Sequence, residues 1–210
     1  MAYLNGQDVL NMLRFNPLAN NKFNIPELEP ETEFDEKMDF IGFNYAKTSK
    51  EHEKVVHFFL EDYMFNRVWN IPEKSAEDLR NFKAVCTPDF SMYRDMPLAL
   101  QLFNRYRSMW CGAYWQSLGM TVYPTVGWSS EESFEFCFLG VPKHAVVVGT
   151  TVGSQRDPVA RALFDRGWAK MLEVLEPKAI LMYSSTRKDL PGPVYYIGRL
   201  NIEMGWLDGK

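Results

Sequence analysis

The sequence predicts an α/β protein: a mostly parallel sheet with flanking helices, open or partly barrel-like, plus an antiparallel edge pair. Three observations carry that prediction. Short apolar runs alternate with segments of helical periodicity, and strand–helix–strand repeated three times places strands in parallel. The run Ala145-Val146-Val147-Val148-Gly149-Thr150-Thr151 is apolar along its length, as in a strand covered on both faces. The first two strand-like runs, 40–45 and 55–60, are joined by only nine residues, short for a parallel crossover, and so predict an antiparallel pair.

Taken in order, residues 8–15 have the spacing of a short amphipathic helix through Val9, Leu10, Met12 and Leu13. A stretch with Pro17, Pro26 and Pro30 and the acids Glu27, Glu29, Glu31, Glu33, Asp35 and Glu36 follows, and proline with like charge favours an extended, solvated segment. Residues 1–37 are therefore an N-terminal helix and acidic arm packed along a single α/β domain, 38–210. After the first two strands, helical segments are expected over 61–69 and 75–82, the second with Ser75 as N-cap. A strand over 84–86 runs into a proline-containing turn.

The longest helix starts at Pro97 and stops at Gly119. Its expected inward stripe is Leu98, Leu102, Tyr106, Met109, Ala113 and Ser117, widened by Phe103, Trp110 and Tyr114. Gln101, Asn104, Arg105, Ser108 and Gln116 then face solvent. A strand over 121–125, a short helix capped by Ser129 or Ser130, and the apolar strand at 145–151 come next. Asp157-Pro158 opens a helix that Pro177 closes, 179–183 returns to the sheet, and 194–197 is an edge strand.

Composition bounds the function. The 210 residues are 46% hydrophobic, 15% aromatic and 24% charged, with a formal net charge of -4, which excludes disorder as the main state. The acidic balance has the wrong sign for a protein whose main task is gripping duplex phosphate. No apolar run is long enough to span a membrane and the start lacks the order of a signal peptide, so a cytoplasmic protein without a membrane partner is expected. Cys86, Cys111 and Cys137 form no Cys-x-x-Cys pair, and His52, His57 and His144 have no metal-ligand spacing, so the cysteines read as reduced, buried thiols and no metal site is expected. No cofactor is indicated.

Ligands of parallel sheets bind beyond the carboxyl ends of the strands, where the strand-to-helix loops and helix N-termini open. Reading the residues there gives the candidate site. Asp89 is the candidate catalytic residue, a carboxylate at a strand end able to act as general base or metal ligand. Ser91 lies beside it, and Arg94 can hold an anion bidentately. Trp128, at the end of the next strand, can stack on a ring. Thr151, Gly153, Ser154 and Arg156 form a small-residue loop before a helix, suited to a phosphate or carboxylate. The competing structural account is that Asp89 and Ser91 fix their own loop, that Arg94 pairs with a nearby acid, and that Gly153 serves an ordinary tight turn. His57, inside an apolar strand, reads as a satisfied buried histidine.

The segment Thr87-Pro88-Asp89-Phe90-Ser91-Met92-Tyr93-Arg94-Asp95-Met96-Pro97 resembles a family of phage, prophage and mobile-element proteins known only as a domain of unknown function. Gly42-Phe43-Asn44-Tyr45-Ala46, Val56-His57-Phe58-Phe59, Gly112-Ala113-Tyr114-Trp115-Gln116 and Cys137-Phe138-Leu139-Gly140-Val141-Pro142-Lys143 carry the same resemblance, as do the 124–128 run and Thr151-Val152-Gly153. It implies a bacterial or viral cytoplasmic protein of a mobile genetic context, with a role in replication, host interaction or defence evasion. It supplies no reaction, cofactor or catalytic residue.

Two functional expectations follow. One is a protein that handles a small anionic ligand or nucleotide, with hydrolytic chemistry at Asp89. The other is a non-enzymatic accessory protein that binds a host protein or single-stranded nucleic acid through surfaces around Arg105, Arg107 and the acidic arm.

Overall fold

The computed structural model describes residues 8–155, 157–183 and 186–197. Among the described residues seven short strands lie in chain order and all neighbours run parallel. β1 (Phe40–Gly42), β2 (Val55–His57), β3 (Ala84–Cys86) and β4 (Val122–Tyr123) form one sheet. β5 (Val146–Thr150), β6 (Ala179–Tyr183) and β7 (Val194–Ile197) form the other. The two are stitched at the end of β4, where Thr125 bridges Val148 in parallel and the amide of Val126 donates to the carbonyl of Val148 at 2.8 Å.

The layer is curled. Strands are spaced about 4.8 Å apart, so in a flat sheet β1 and β6 would stand roughly 24 Å from one another. Instead the ring of Phe40 in β1 meets that of Tyr183 in β6 at 5.7 Å, and His57 of β2 meets Tyr183 at 4.2 Å. His57 is fully buried there, its Nδ1 accepting from the Phe59 amide at 3.2 Å.

The expected antiparallel edge pair is absent: β1 and β2 run parallel, Phe40 against Val55 and Gly42 against His57. The strand is shorter than its apolar run. It ends at Gly42, and Phe43–Ala46 turns into a single helical turn, α1. That leaves residues 43–54 for the return, a dozen, the length at which a parallel crossover becomes feasible.

Three short helices follow β2: α2 (Asp62–Phe65), α3 (Arg67–Asn70) and α4 (Pro72–Leu79). Helix α4 starts at Pro72 rather than at Ser75, because proline is accommodated in the first turn; Ser75 lies inside, its hydroxyl donating to the carbonyl of Arg67. α5 (Leu98–Ser117) ends before Gly119, whose φ of +83° is the left-handed turn expected of it. A 3-10 turn spans Glu131–Glu135, and α6 (Pro158–Leu175) is capped by the Asp157 side chain, which accepts from the Val159 amide. Residues 8–15 form turns in place of the expected amphipathic helix. Asp8 takes the amides of Met12 and Leu13, while Val9, Leu10, Met12 and Leu13 stay exposed.

The acidic stretch runs past the amino ends of the strands. The amide of Val146, at the start of β5, donates to Glu31 O, and the Tyr123 hydroxyl donates to Glu33 O. Asp35 pairs with Lys83 before β3, and Glu33 pairs with Lys178 before β6. Gln116 exchanges two 2.9 Å hydrogen bonds with the backbone of Glu29.

The first half of α5 is rolled relative to its expected orientation, while Met109, Trp110 and Ala113 are buried as expected. Gln101, Asn104, Arg105 and Ser108 are buried, at 1, 7, 3 and 5% exposure, while Leu98, Leu100 and Phe103 face outward. Gln101, Asn104, Arg105 and Ser108 form one stripe at i, i+3, i+4 and i+7. It lies against the loops that leave β3 and β4, and the interior it builds is polar.

Candidate functional site

The loop after β3 and the loop after β4 are coupled at their base. Thr125 donates its hydroxyl to Thr87 O at 2.7 Å and its amide to the Thr87 hydroxyl at 2.8 Å. This double clasp holds two strand ends side by side. Asp89 follows one of them and Gly127 the other, and a Cβ built on Gly127 would stand 3.7 Å from Asp89 Oδ1. Glycine there leaves the carboxylate's flank open.

Above these loops lies the polar stripe of α5. Arg105 is saturated by carbonyls: Nε and Nη2 donate to Leu139 O at 3.1 and 2.9 Å, and Nη1 donates to Thr125 O at 3.3 Å. Asn104 donates to Ser91 O at 2.6 Å and accepts from Arg107, which also donates to Asn66 Oδ1. The Arg107 guanidinium covers the Phe90 ring at 3.8 Å. Ser91 gives its amide and hydroxyl to Asp62, at 3.1 and 2.8 Å. Gln101 donates to Tyr93 O and Met96 O and accepts from Ser129.

Two groups in this network have no such partner. Asp89 makes no hydrogen bond or ion pair among the described residues, and neither does the Ser108 hydroxyl; neither is sealed from water, whereas Arg107 Nε is buried and unpartnered. Both line a cavity of about 10 Å³, together with Arg105, Thr125, Met92 and Gly127. Burial, and next the charge of Asp62, push the Asp89 carboxyl up to about 7, with Arg105 opposing. Burial also brings Arg105 down to about 10, against the pull of Cys137 and Asp89. Cys86, one turn of chain before Asp89, has its thiol held well above the usual range by burial and then by Asp89 itself. At neutral pH the pocket therefore contains a fixed cation and a carboxyl poised between its two protonation states.

The other predicted residues are placed as follows. Ser91 is in the network as the donor to Asp62. Arg94 does not line the cavity and pairs with Asp157, the cap of α6, at 2.6 Å. Trp128 packs on α6: its Nε1 donates to Leu163 O, its ring contacts Phe138 and Phe164, and a Cβ on Gly167 would fall 2.1 Å from that nitrogen. Thr151 accepts from the Thr186 amide at 3.0 Å. Ser154 returns both its amide and hydroxyl to Thr151 O, closing a turn with Gly153 at φ +80°. Arg156 lies outside the described residues.

Sequence reasoning missed Arg105, Ser108, Asn104 and Asp62 as members of the site. A signal was present. Around its first two turns α5 carries Leu98, Leu100, Leu102 and Phe103, so the polar stripe is narrow and flanked by apolar residues on both sides. Such a stripe is as consistent with a buried polar seam as with a solvated face. A second, open cleft of about 430 Å³ lies near β5 and β6, lined by Gln155, Arg161, Asp165, Thr186, Arg187 and Asp189. Arg187 in it is held by Asp165 and Asp189.

Comparison with known proteins places the chain. The family model described as a domain of unknown function, DUF4417, matches residues 18–193, which takes in the acidic stretch of the arm and strands β1 to β6. A "Gene 1 protein" of Mycobacterium phage D29 is 39% identical over 188 residues, covering 86% of this chain and 67% of that protein. A "Gene 1 protein" of Mycobacterium phage L5 is 36% identical over 196 residues, covering 88% of this chain and 82% of the relative. No solved structure matches. Among the described residues no helix is long and apolar enough to cross a membrane.

Proposed function

The chain belongs to the DUF4417 family, shared with phage proteins, and we propose that it handles a small ligand or nucleotide by hydrolytic chemistry at the carboxyl ends of β3 and β4, with Asp89 as general base. The observation that carries this reading is the unpartnered state of the Asp89 carboxylate in a region where its polar neighbours Asp62, Ser91, Asn104 and Arg105 are hydrogen-bonded. A part-buried carboxylate kept only to build a loop would accept backbone amides, as Asp62 does from Ser91. A group whose protonation balances near neutral pH is matched to moving a proton under physiological conditions.

Arg105 replaces Arg94 as the cation of the site. It is rigid, cannot leave its two carbonyls without cost, and sets a positive potential over the carboxylate without neutralising it. Asp62 acts in the opposite sense and favours proton uptake. The alternative of an accessory binding protein has less support: Arg105 is buried, Arg107 is engaged by Asn66, Asn104 and Phe90, and two acids of the arm, Glu33 and Asp35, are paired with lysines.

The test is turnover of p-nitrophenyl acetate and bis-p-nitrophenyl phosphate, with calorimetry against ATP and GTP, for the wild type and Asp89→Asn. The expected result is a rate that rises as pH increases through about 7, as the base form appears, and is lost in the variant. Equal turnover and equal nucleotide binding by the two proteins would overturn the reading.

A further inference from the structure

We infer that Asp89 and Ser108 together form a binding site for a single water molecule, the hydrolytic nucleophile of the proposed reaction. The inference rests on the reading of Asp89 given above and deepens it. Ser108 is 5% exposed, lies one turn after Arg105 on the buried face of α5, and lines the same cavity as Asp89. Inside a helix a buried serine hydroxyl can turn back to a carbonyl three or four residues earlier. Here that bond is not made, although Ser117 on the same helix does bond back, to Tyr114 O at 2.7 Å. The Ser108 hydroxyl is not among the sealed polar atoms left without a partner, so it stays accessible to a water-sized group, which supplies the hydrogen bond the helix does not.

The size and chemistry of the space define that ligand. A cavity of about 10 Å³ holds one water and excludes phosphate or any larger group. Its polar wall offers a carboxylate that in its basic form only accepts and a hydroxyl that can accept or donate, while the Arg105 donors are already committed to Leu139 and Thr125. Water, donating to Asp89 and bonding to Ser108, matches this set. Pro88 and Phe90 close the inner side. Met92 and Gly127 are partly exposed, and the Met92 methyl lies 3.9 Å from where a Gly127 Cβ would stand. An electrophile therefore reaches the water across Met92 and Gly127.

The step balances without further reagents. One water proton passes to Asp89 as the water oxygen bonds to the acyl carbon or phosphorus of an ester. The bond to the leaving oxygen breaks, and Asp89 returns the proton to that oxygen. Ser108 forms no covalent bond and is a positioning residue.

The experiment is a carbon-detected NMR titration of the Asp89 carboxyl in the wild type, Ser108→Val and Ser108→Ala, with water–protein cross-relaxation recorded at the amides around residues 89 and 108. Valine fills the cavity with a methyl group and expels the water. The expected result is a titration midpoint raised by about one pH unit or more, with loss of the cross-relaxation signal. Alanine leaves the space open, so it retains the signal with a smaller rise. If the wild type shows no bound-water signal, or Ser108→Val leaves the midpoint within about 0.2 units, the water site is wrong even where Asp89 titrates near neutrality. A wild-type midpoint near that of an ordinary aspartate would instead sink the reading of Asp89 itself. Should Ser108→Val fail to fold, the wild-type and Ser108→Ala signals decide alone.

Discussion

The two loops richest in predicted site residues lie at the same end of the strands and treat their polar groups in opposite ways. In the loop after β5, Thr151 accepts from Thr186, Ser154 returns to Thr151, and Asp157 caps α6 while pairing with Arg94. Its chemistry is spent internally. In the loop after β3, an equally dense network surrounds Asp89 and stops short of it. The lesson is physical: a polar residue at a strand end is informative only in proportion to the bonding capacity the fold leaves unused. By that measure the proposed chemistry belongs with Asp89, whereas the Thr151–Ser154 turn bonds within itself.

The largest expected effect is at Arg105. Arg105→Ala leaves the carbonyls of Leu139 and Thr125 buried and unpaired, and should cost about 3–5 kcal/mol in denaturant unfolding. A loss below about 1 kcal/mol would mean that the seam under α5 is wet and loosely held. Next, Gly167→Ala drives a methyl into the Trp128 indole, with an expected cost of about 1–3 kcal/mol. If ligand affinity falls while stability does not, Trp128 belongs with Asp89 rather than with the framework. Thr151→Val removes the acceptor for Thr186 and should cost about 1 kcal/mol with turnover unchanged. The smallest effect is Arg94→Ala, whose pair with Asp157 is exposed to solvent: the melting temperature should move by less than about 2 °C.

How much of this was legible in the sequence varies by region. The end of α5 at Gly119, the Asp157 cap of α6 and the buried run of β5 follow from local rules that tertiary structure did not override. The parallel pairing of β1 and β2 was not legible, because the apolar run 40–45 gives no sign that Phe43 turns out of the strand into a helix. The roll of α5 was hidden for a related reason. Periodicity identifies two faces but not which one the protein buries, and here a narrow polar face covers the strand ends. Asp89 could be picked out from its position after a strand. Its neighbours Asp62 and Ser108 could not, since they come from 27 residues earlier and 19 residues later and meet only through the fold.

The unpaired carboxylate is the centre of the account, and stability against pH tests it most directly. The folded protein holds the Asp89 proton more tightly than the unfolded chain does, with the carboxyl raised from 3.8 to about 7. Between those values the folded state binds more protons, so stability from this group falls as pH rises across the window, by on the order of 2–4 kcal/mol. Asp89→Asn removes that dependence. Urea unfolding of both proteins at pH 4 and pH 8 should show near-equal stability at the lower pH and a more stable variant at the higher. A variant less stable at pH 8, or a difference that does not change with pH, would contradict a carboxylate left without partners.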